Sequence, residues 1–107
     1  MHVLITGGAG YVGSQATAHL LAEGLSVTVF DRLLYGAEAL LAFRHNDRFR
    51  LIRGDVRDRA ALREALKGVD AVIHLAAIVG EDACNVDRTA SWSTNVDGTK
   101  AVMEAVA

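Results

Sequence analysis

Apolar residues in this chain come in short runs, and the segments between them alternate between glycine-containing turns and stretches with helical spacing. His2–Thr6 is β-branched, apolar and bounded by glycine, which predicts a buried strand. Along Tyr11–Glu23, Val12, Ala16 and Leu20 fall four residues apart, predicting a helix with that line inward and Gly24 at its C-terminus. Ser26–Phe30 reads as a second strand that ends at Asp31, Gly36–His45 as a short helix, and Arg48–Arg53 as a third strand. Asp58 is placed to cap a helix carrying Leu62, Ala65 and Leu66, which Gly68 closes. Ala71–Leu75 is a fourth strand. Ser91–Ala107 repeats Trp92, Val96, Thr99, Met103 and Val106 at spacings of 4, 3, 4 and 3, the stripe of a packed helix.

Strands alternating with helices predict an α/β domain: a parallel sheet between helices, built from right-handed crossovers. With 107 residues, 51% of them hydrophobic and 22% charged, the chain has the size and composition of one globular domain. Its net charge of −2 comes from interleaved acids and bases, so nucleic acid and membrane surfaces gain no electrostatic support as partners. The apolar runs fall far short of the roughly 20 residues that span a bilayer. The opening "MHVLITGG" has no basic segment or cleavage site of a secretory signal. Cys84, the one cysteine, cannot form an internal disulfide, and a reducing cytoplasm is the expected compartment. It has no histidine or basic neighbour in sequence to activate it as a nucleophile. His2, His19 and His45 are scattered without ligand spacing, so no metal site is expected. His74, on a strand, reads as a packed core histidine.

Chemistry enters at "LITGGAGYVGS", where Gly7, Gly10 and Gly13 follow the first strand and open the first helix. A helix N-terminus offers unpaired N–H groups and about half a positive charge, and a phosphate exploits both only if the backbone comes close. Gly7 is expected to make the turn, Gly10 to admit phosphates, and Gly13 to let helix and strand pack closely. The spacing is G-x-x-G-x-x-G, and no lysine follows the last glycine, which excludes a Walker-type loop. Asp31 ends the second strand, where a carboxylate can accept hydrogen bonds from a ribose diol. It would repel a 2′-phosphate, which favours NAD over NADP, while Arg32 beside it could pair with such a phosphate.

"TGGAGYVGS", "FDRLLYG", "GDVRD", "HLAAIVG" and "NVDGT" together resemble, in order and spacing, the extended short-chain dehydrogenases/reductases. More narrowly, they resemble the NAD-dependent nucleotide-sugar epimerase/dehydratase family, of which UDP-glucose 4-epimerase is typical. The resemblance spans essentially the whole chain. It implies a Rossmann-type sheet in order 3-2-1-4 with flanking helices, ending before a fifth strand. It places Gly7, Gly10, Tyr11, Val12 and Gly13 around the pyrophosphate of NAD. Asp31 would hold the adenosine ribose, with Arg32 and the loop from Leu33 to Gly36 closing over it. Asp55 and Val56 would meet the adenine, the carboxylate accepting from its amino group. Leu75, Ala76, Ala77 and Val79 would line the cofactor after the fourth strand. Asn95 would either contact the cofactor or make a structural hydrogen bond. The last helix is one of two that form a homodimer interface in the family.

The family's catalytic pair, Tyr-x-x-x-Lys, does not occur. Four residues beyond Tyr11 is Gln15, and beyond Tyr35 is Ala39. In the family that pair follows the fifth strand, and the substrate domain, which takes a nucleotide-sugar, lies beyond it. The expectation is therefore a region that binds NAD without catalysing alone. It is either the N-terminal part of a longer enzyme or one half of a two-chain one; a non-enzymatic NAD module and a scaffold without ligand are the rivals. Relatives often place proline within "VGEDACNVDR", where this chain has Ala83 and Arg88.

Overall fold

The computed structural model describes residues 1–33, 36–76, 96 and 98–106. Tyr35, Ala77, Val79, Ala83, Cys84, Arg88, Trp92 and Asn95, all singled out above, lie outside the described residues. The strands are β1 (His2–Thr6), β2 (Ser26–Asp31), β3 (Phe49–Arg53) and β4 (Ala71–His74). The helices are α1 (Tyr11–Ala22), α2 (Arg59–Ala65) and α3 (Gly98–Val106).

Among the described residues the four strands form one parallel sheet in the order β3-β2-β1-β4. His2 to Thr6 pairs with Ser26 to Phe30, Val3 to Thr6 with Ala71 to His74, and Val27 to Asp31 with Phe49 to Arg53. Strands of such a sheet are covered on both faces, which is why β1 and β2 are near-continuous apolar runs. Alternation then sorts their side chains into two cores. Leu4 and Phe30 join Val56, Leu62, Ala65, Ala101 and Val102 on the α2/α3 face. Val3, Ile5, Val27 and Val29 join Leu21 and Leu40 on the face of α1.

Asp58 caps α2 as expected, its carboxylate accepting from the Ala61 amide at 3.1 Å. Gly24 and Gly68 take positive φ after α1 and α2. Besides β3, which begins at Phe49 rather than Arg48, four expectations need correction. The Gly36–His45 segment forms a 3-10 turn over Glu38–Phe43, begun by Ala37 without a side-chain cap and closed by i to i+3 bonds such as Leu40 N–H to Ala37 C=O. On α1 the inward line is Gly13, Thr17 and Leu21, with Ser14, whereas Val12 is 64% exposed and Ala16 and Leu20 pack only at the margin. The face is set by Gly13, which must lie on the backbone of the glycine turn and brings Thr17 and Leu21 inward with it. On α3 the buried side is Gly98, Ala101 and Val102, and Met103 and Val106 face outward. β4 ends at His74, one residue short of Leu75.

Candidate adenosine-diphosphate site

The exits of all four strands lie along one edge of the sheet. β1 hands over to the glycine turn and β4 to Leu75 and Ala76, and between these two neighbours the strand order reverses direction. Such a switch point leaves a crevice that the flanking connections do not fill.

The turn is shaped by close approach. Gly7 has φ +73°, and a Cβ there would lie 2.7 Å from the Ala76 amide nitrogen and 2.8 Å from its Cα. A Cβ on Gly13 would lie 2.8 Å from the Gly7 carbonyl and also strike Gly8. Gly8, which sequence reasoning passed over, is as constrained, since a Cβ would reach the Val29 methyls at 2.7 Å. Gly10 differs. It has ordinary φ −77°, and its Cβ would meet nothing nearer than the Gly7 carbonyl at 3.7 Å. The protein's own packing therefore does not require glycine at position 10, and the backbone there is open to close approach from outside.

α1 starts at this point with Gly10 as its N-cap, no side-chain cap and no acid in its first turn. Its first amides are left for a partner outside the helix. Tyr11 and Val12, 81% and 64% exposed, flank the opening. The spare amides, the dipole and the space at Gly10 fit a pyrophosphate.

Asp31 is built into the turn. Its Oδ2 accepts from the Ala9 amide at 3.0 Å and its Oδ1 from the Leu33 amide at 2.6 Å. A carboxylate offers about four acceptor positions, so two remain for a diol. Leu33 adopts φ +60°, and Gly36, with φ +88°, donates its amide to the Leu33 carbonyl at 3.1 Å. Ala9 was not foreseen, because its part is played by a backbone amide that no sequence pattern marks.

At the exit of β3, Val56 is buried in the core, so only its backbone can face a ligand. Asp55 is wrapped by Arg57. The Arg57 amide donates to Oδ1 at 2.9 Å, Nε to both oxygens at 3.0 Å, and Nη2 to Oδ2 at 2.6 Å. Arg32 adds its Nε at 3.2 Å from Oδ2. These bonds, led by the Arg57 side chain, hold the Asp55 carboxyl below its usual range, against the opposing effect of burial. Arg57 was absent from the sequence-derived site, although an arginine two residues beyond an aspartate on a turn is a visible signal.

Beneath Gly7 lies a network joining β1, β4 and α3. The Thr6 hydroxyl oxygen accepts from the Leu75 and Ala76 amides at 3.1 and 3.2 Å. Those two bonds fill its lone pairs, so its proton goes to His74 Nδ1, 2.5 Å away. The remaining ring proton is then on Nε2, which donates to the Thr99 hydroxyl at 3.1 Å. Burial lowers the pKa of His74 from its ordinary 6.5, consistent with a neutral ring in a structural position. Among the described residues no group of three or more His, Cys, Asp or Glu is placed to hold a metal ion. No described helix is long and apolar enough to cross a membrane.

Residues 3–107 match the NAD dependent epimerase/dehydratase family. A dTDP-glucose 4,6-dehydratase of Streptomyces griseus is 39% identical over 110 residues, covering 97% of this chain and 33% of its own length. The crystal structure of DesIV, a dTDP-glucose 4,6-dehydratase from Streptomyces venezuelae with NAD and TYD bound, superposes with a TM-score of 0.90 at 34% identity, over 98% of this chain and 35% of that one. The Thermus thermophilus UDP-glucose 4-epimerase in complex with NAD gives 0.83 at 32% identity, over 98% and 33%. The chain thus spans about a third of the length of these relatives. A four-stranded 3-2-1-4 sheet with a glycine turn at its switch point, matched over nearly every residue, places this chain in the NAD-dependent epimerase/dehydratase family.

Proposed function

We propose that this chain is the cofactor-binding N-terminal part of an NAD-dependent nucleotide-sugar epimerase or dehydratase. It binds the ADP portion of NAD between the glycine turn and the exits of β2 and β3. The observation that carries this reading is the junction of Gly10 and Asp31. An uncapped helix N-terminus with open space at its glycine sits beside a carboxylate tied to the same turn through Ala9. Gly7, Gly10, Tyr11, Val12 and Gly13 enclose the pyrophosphate, and Asp31 takes the ribose diol. Leu75 and Ala76 follow β4 toward the nicotinamide end, and the family resemblance adds Ala77, Val79 and Asn95 to the cofactor contacts.

Held by the glycine turn and Asp31, NAD would supply the hydride acceptor and donor for a sugar carbon. The residues of this chain bind and orient; none moves the substrate proton, because neither Tyr11 nor Tyr35 stands in a Tyr-x-x-x-Lys pair. Catalysis therefore needs residues beyond these 107, whether on the same polypeptide or a second chain, and so does the choice of sugar nucleotide. The outward Met103 and Val106 of α3 support self-association of that face, and the single cysteine supports a cytoplasmic setting.

Calorimetric titration of the purified chain with NAD, NADP and ADP tests the reading. NAD and ADP are expected to bind with similar affinity, and Asp31→Ala to weaken NAD by about tenfold or more through loss of charged hydrogen bonds to the diol. No heat from NAD or ADP, in a chain shown to be folded by circular dichroism, would leave the fold as a scaffold without ligand.

A further inference from the structure

Asp31 and Arg32 are consecutive at the exit of β2, yet their side chains are engaged on different partners. Asp31 is bound to the Ala9 and Leu33 amides, while Arg32 reaches to the exit of β3 and lies on Asp55. A guanidinium one residue from a ribose-binding carboxylate has the length and the donor fork to take a 2′-phosphate. Here the side chain is directed to Asp55, with its Nε 3.2 Å from Oδ2.

The mount for Arg32 is stiff. Arg57 fixes the Asp55 carboxylate through its own amide and two side-chain nitrogens within a three-residue turn. The Asp55 oxygens thus stay in place to receive Arg32. The Arg32–Asp55 pair is half-sheltered, its side chains 32% and 26% exposed, which makes it firmer than a fully solvated surface pair. The guanidiniums of Arg32 and Arg57 are therefore both on Asp55, and the ribose side presents the Asp31 carboxylate.

We propose that Asp55, held by Arg57, is a specificity determinant that sequesters Arg32 and so denies a cation to the 2′-phosphate of NADP. The proposal deepens the adenosine-site reading above and rests on it. It assigns the discrimination to two residues on the exit of β3 acting through one on β2, in addition to repulsion by Asp31.

The test compares NAD with NADP, which differ only in the 2′-phosphate, so any loss of a shared adenine contact cancels in the ratio of their affinities. Titrations are made on the chain, on Arg32→Ala, on Asp55→Asn and on the double variant. In the parent chain Arg32→Ala is expected to change the NADP-to-NAD ratio by less than about twofold, because Arg32 is engaged elsewhere. Asp55→Asn is expected to raise the ratio about tenfold by releasing a guanidinium to the phosphate, and Arg32→Ala in that background to abolish the gain. An unchanged ratio in Asp55→Asn, or a gain that survives removal of Arg32, overturns the proposal while leaving the adenosine site intact. A selective loss of NADP binding in Arg32→Ala alone overturns it too, and does so even if Asp55→Asn fails to fold. If the parent chain binds neither nucleotide, the underlying reading falls with it.

Discussion

Gly10 and Gly13 stand three residues apart on one turn and answer to different demands. Gly13 is required by the protein, because its Cβ would press on the Gly7 carbonyl and on Gly8. Gly10 is not required by the protein, because its Cβ would meet only ordinary van der Waals contact, and the proposed pyrophosphate site supplies the demand. Gly13→Ala is accordingly expected to destabilise the fold by about 1–3 kcal/mol as an overpacking change. Gly10→Ala should stay within about 0.5 kcal/mol of the parent. Urea unfolding separates the two, and NAD titration should show Gly10→Ala weakened by about tenfold or more as its methyl takes the pyrophosphate's place. Equal stability losses at the two positions would refute this division of labour. The sequence showed both glycines and suggested their roles, but only contact distances reveal that Gly13 is demanded by the protein's own packing and Gly10 is not.

At the scale of elements, the strands were legible to within a residue because each is a short β-branched run bounded by turn residues, and both sheet faces are covered. Helix α2 was legible for a local reason too, since Asp58 reaches the Ala61 amide three residues on. Asp58→Ala is expected to cost about 1 kcal/mol. For a domain of this size that lowers the midpoint by roughly 4–8 °C in a thermal melt. An unmoved midpoint would mean that packing of Leu62 and Ala65 alone fixes the helix. Which face a helix buries was much less legible. Val12, Ala16 and Leu20 make a plausible apolar line on α1, but the structure buries Gly13, Thr17 and Leu21, one position further round. On α3 the larger side chains of Met103 and Val106 suggested the inner face, and Ala101 and Val102 occupy it. On α1 the close approach at Gly13 sets the face.

For the molecule as a whole, two titrating groups give stability the same dependence on pH. The unfolded chain protonates His74 below 6.5, whereas burial lowers the pKa of the folded ring and its Nδ1 is committed to accepting from Thr6. Its contribution is therefore complete above 6.5 and is lost as the pH falls through the folded value. Asp55, lowered chiefly by Arg57 from its ordinary 3.8, contributes fully above 3.8 and is lost at still lower pH. Thermal melts between about pH 2.5 and 8 should show midpoints falling on acidification below 6.5 and again below 3.8. In His74→Gln the step below 6.5 should shrink while the acid-side loss persists. A parent profile flat from 8 to 5.5 would contradict the neutral tautomer assigned here.

The sequence by itself determined the alternation of strand and helix, the glycine turn, the carboxylate at the end of the second strand and the family resemblance. All of these are encoded in contiguous residues or in fixed spacings along the chain. The tertiary structure alone decided which surfaces meet. Thr6 bonds His74 across 68 positions, and His74 bonds Thr99 across another 25. Ala9 reaches Asp31 through a backbone amide, and Arg32 is drawn to Asp55 on the neighbouring strand exit. Such pairings have no local signature, since they come into being only when parallel strands bring distant exits to one edge of the sheet.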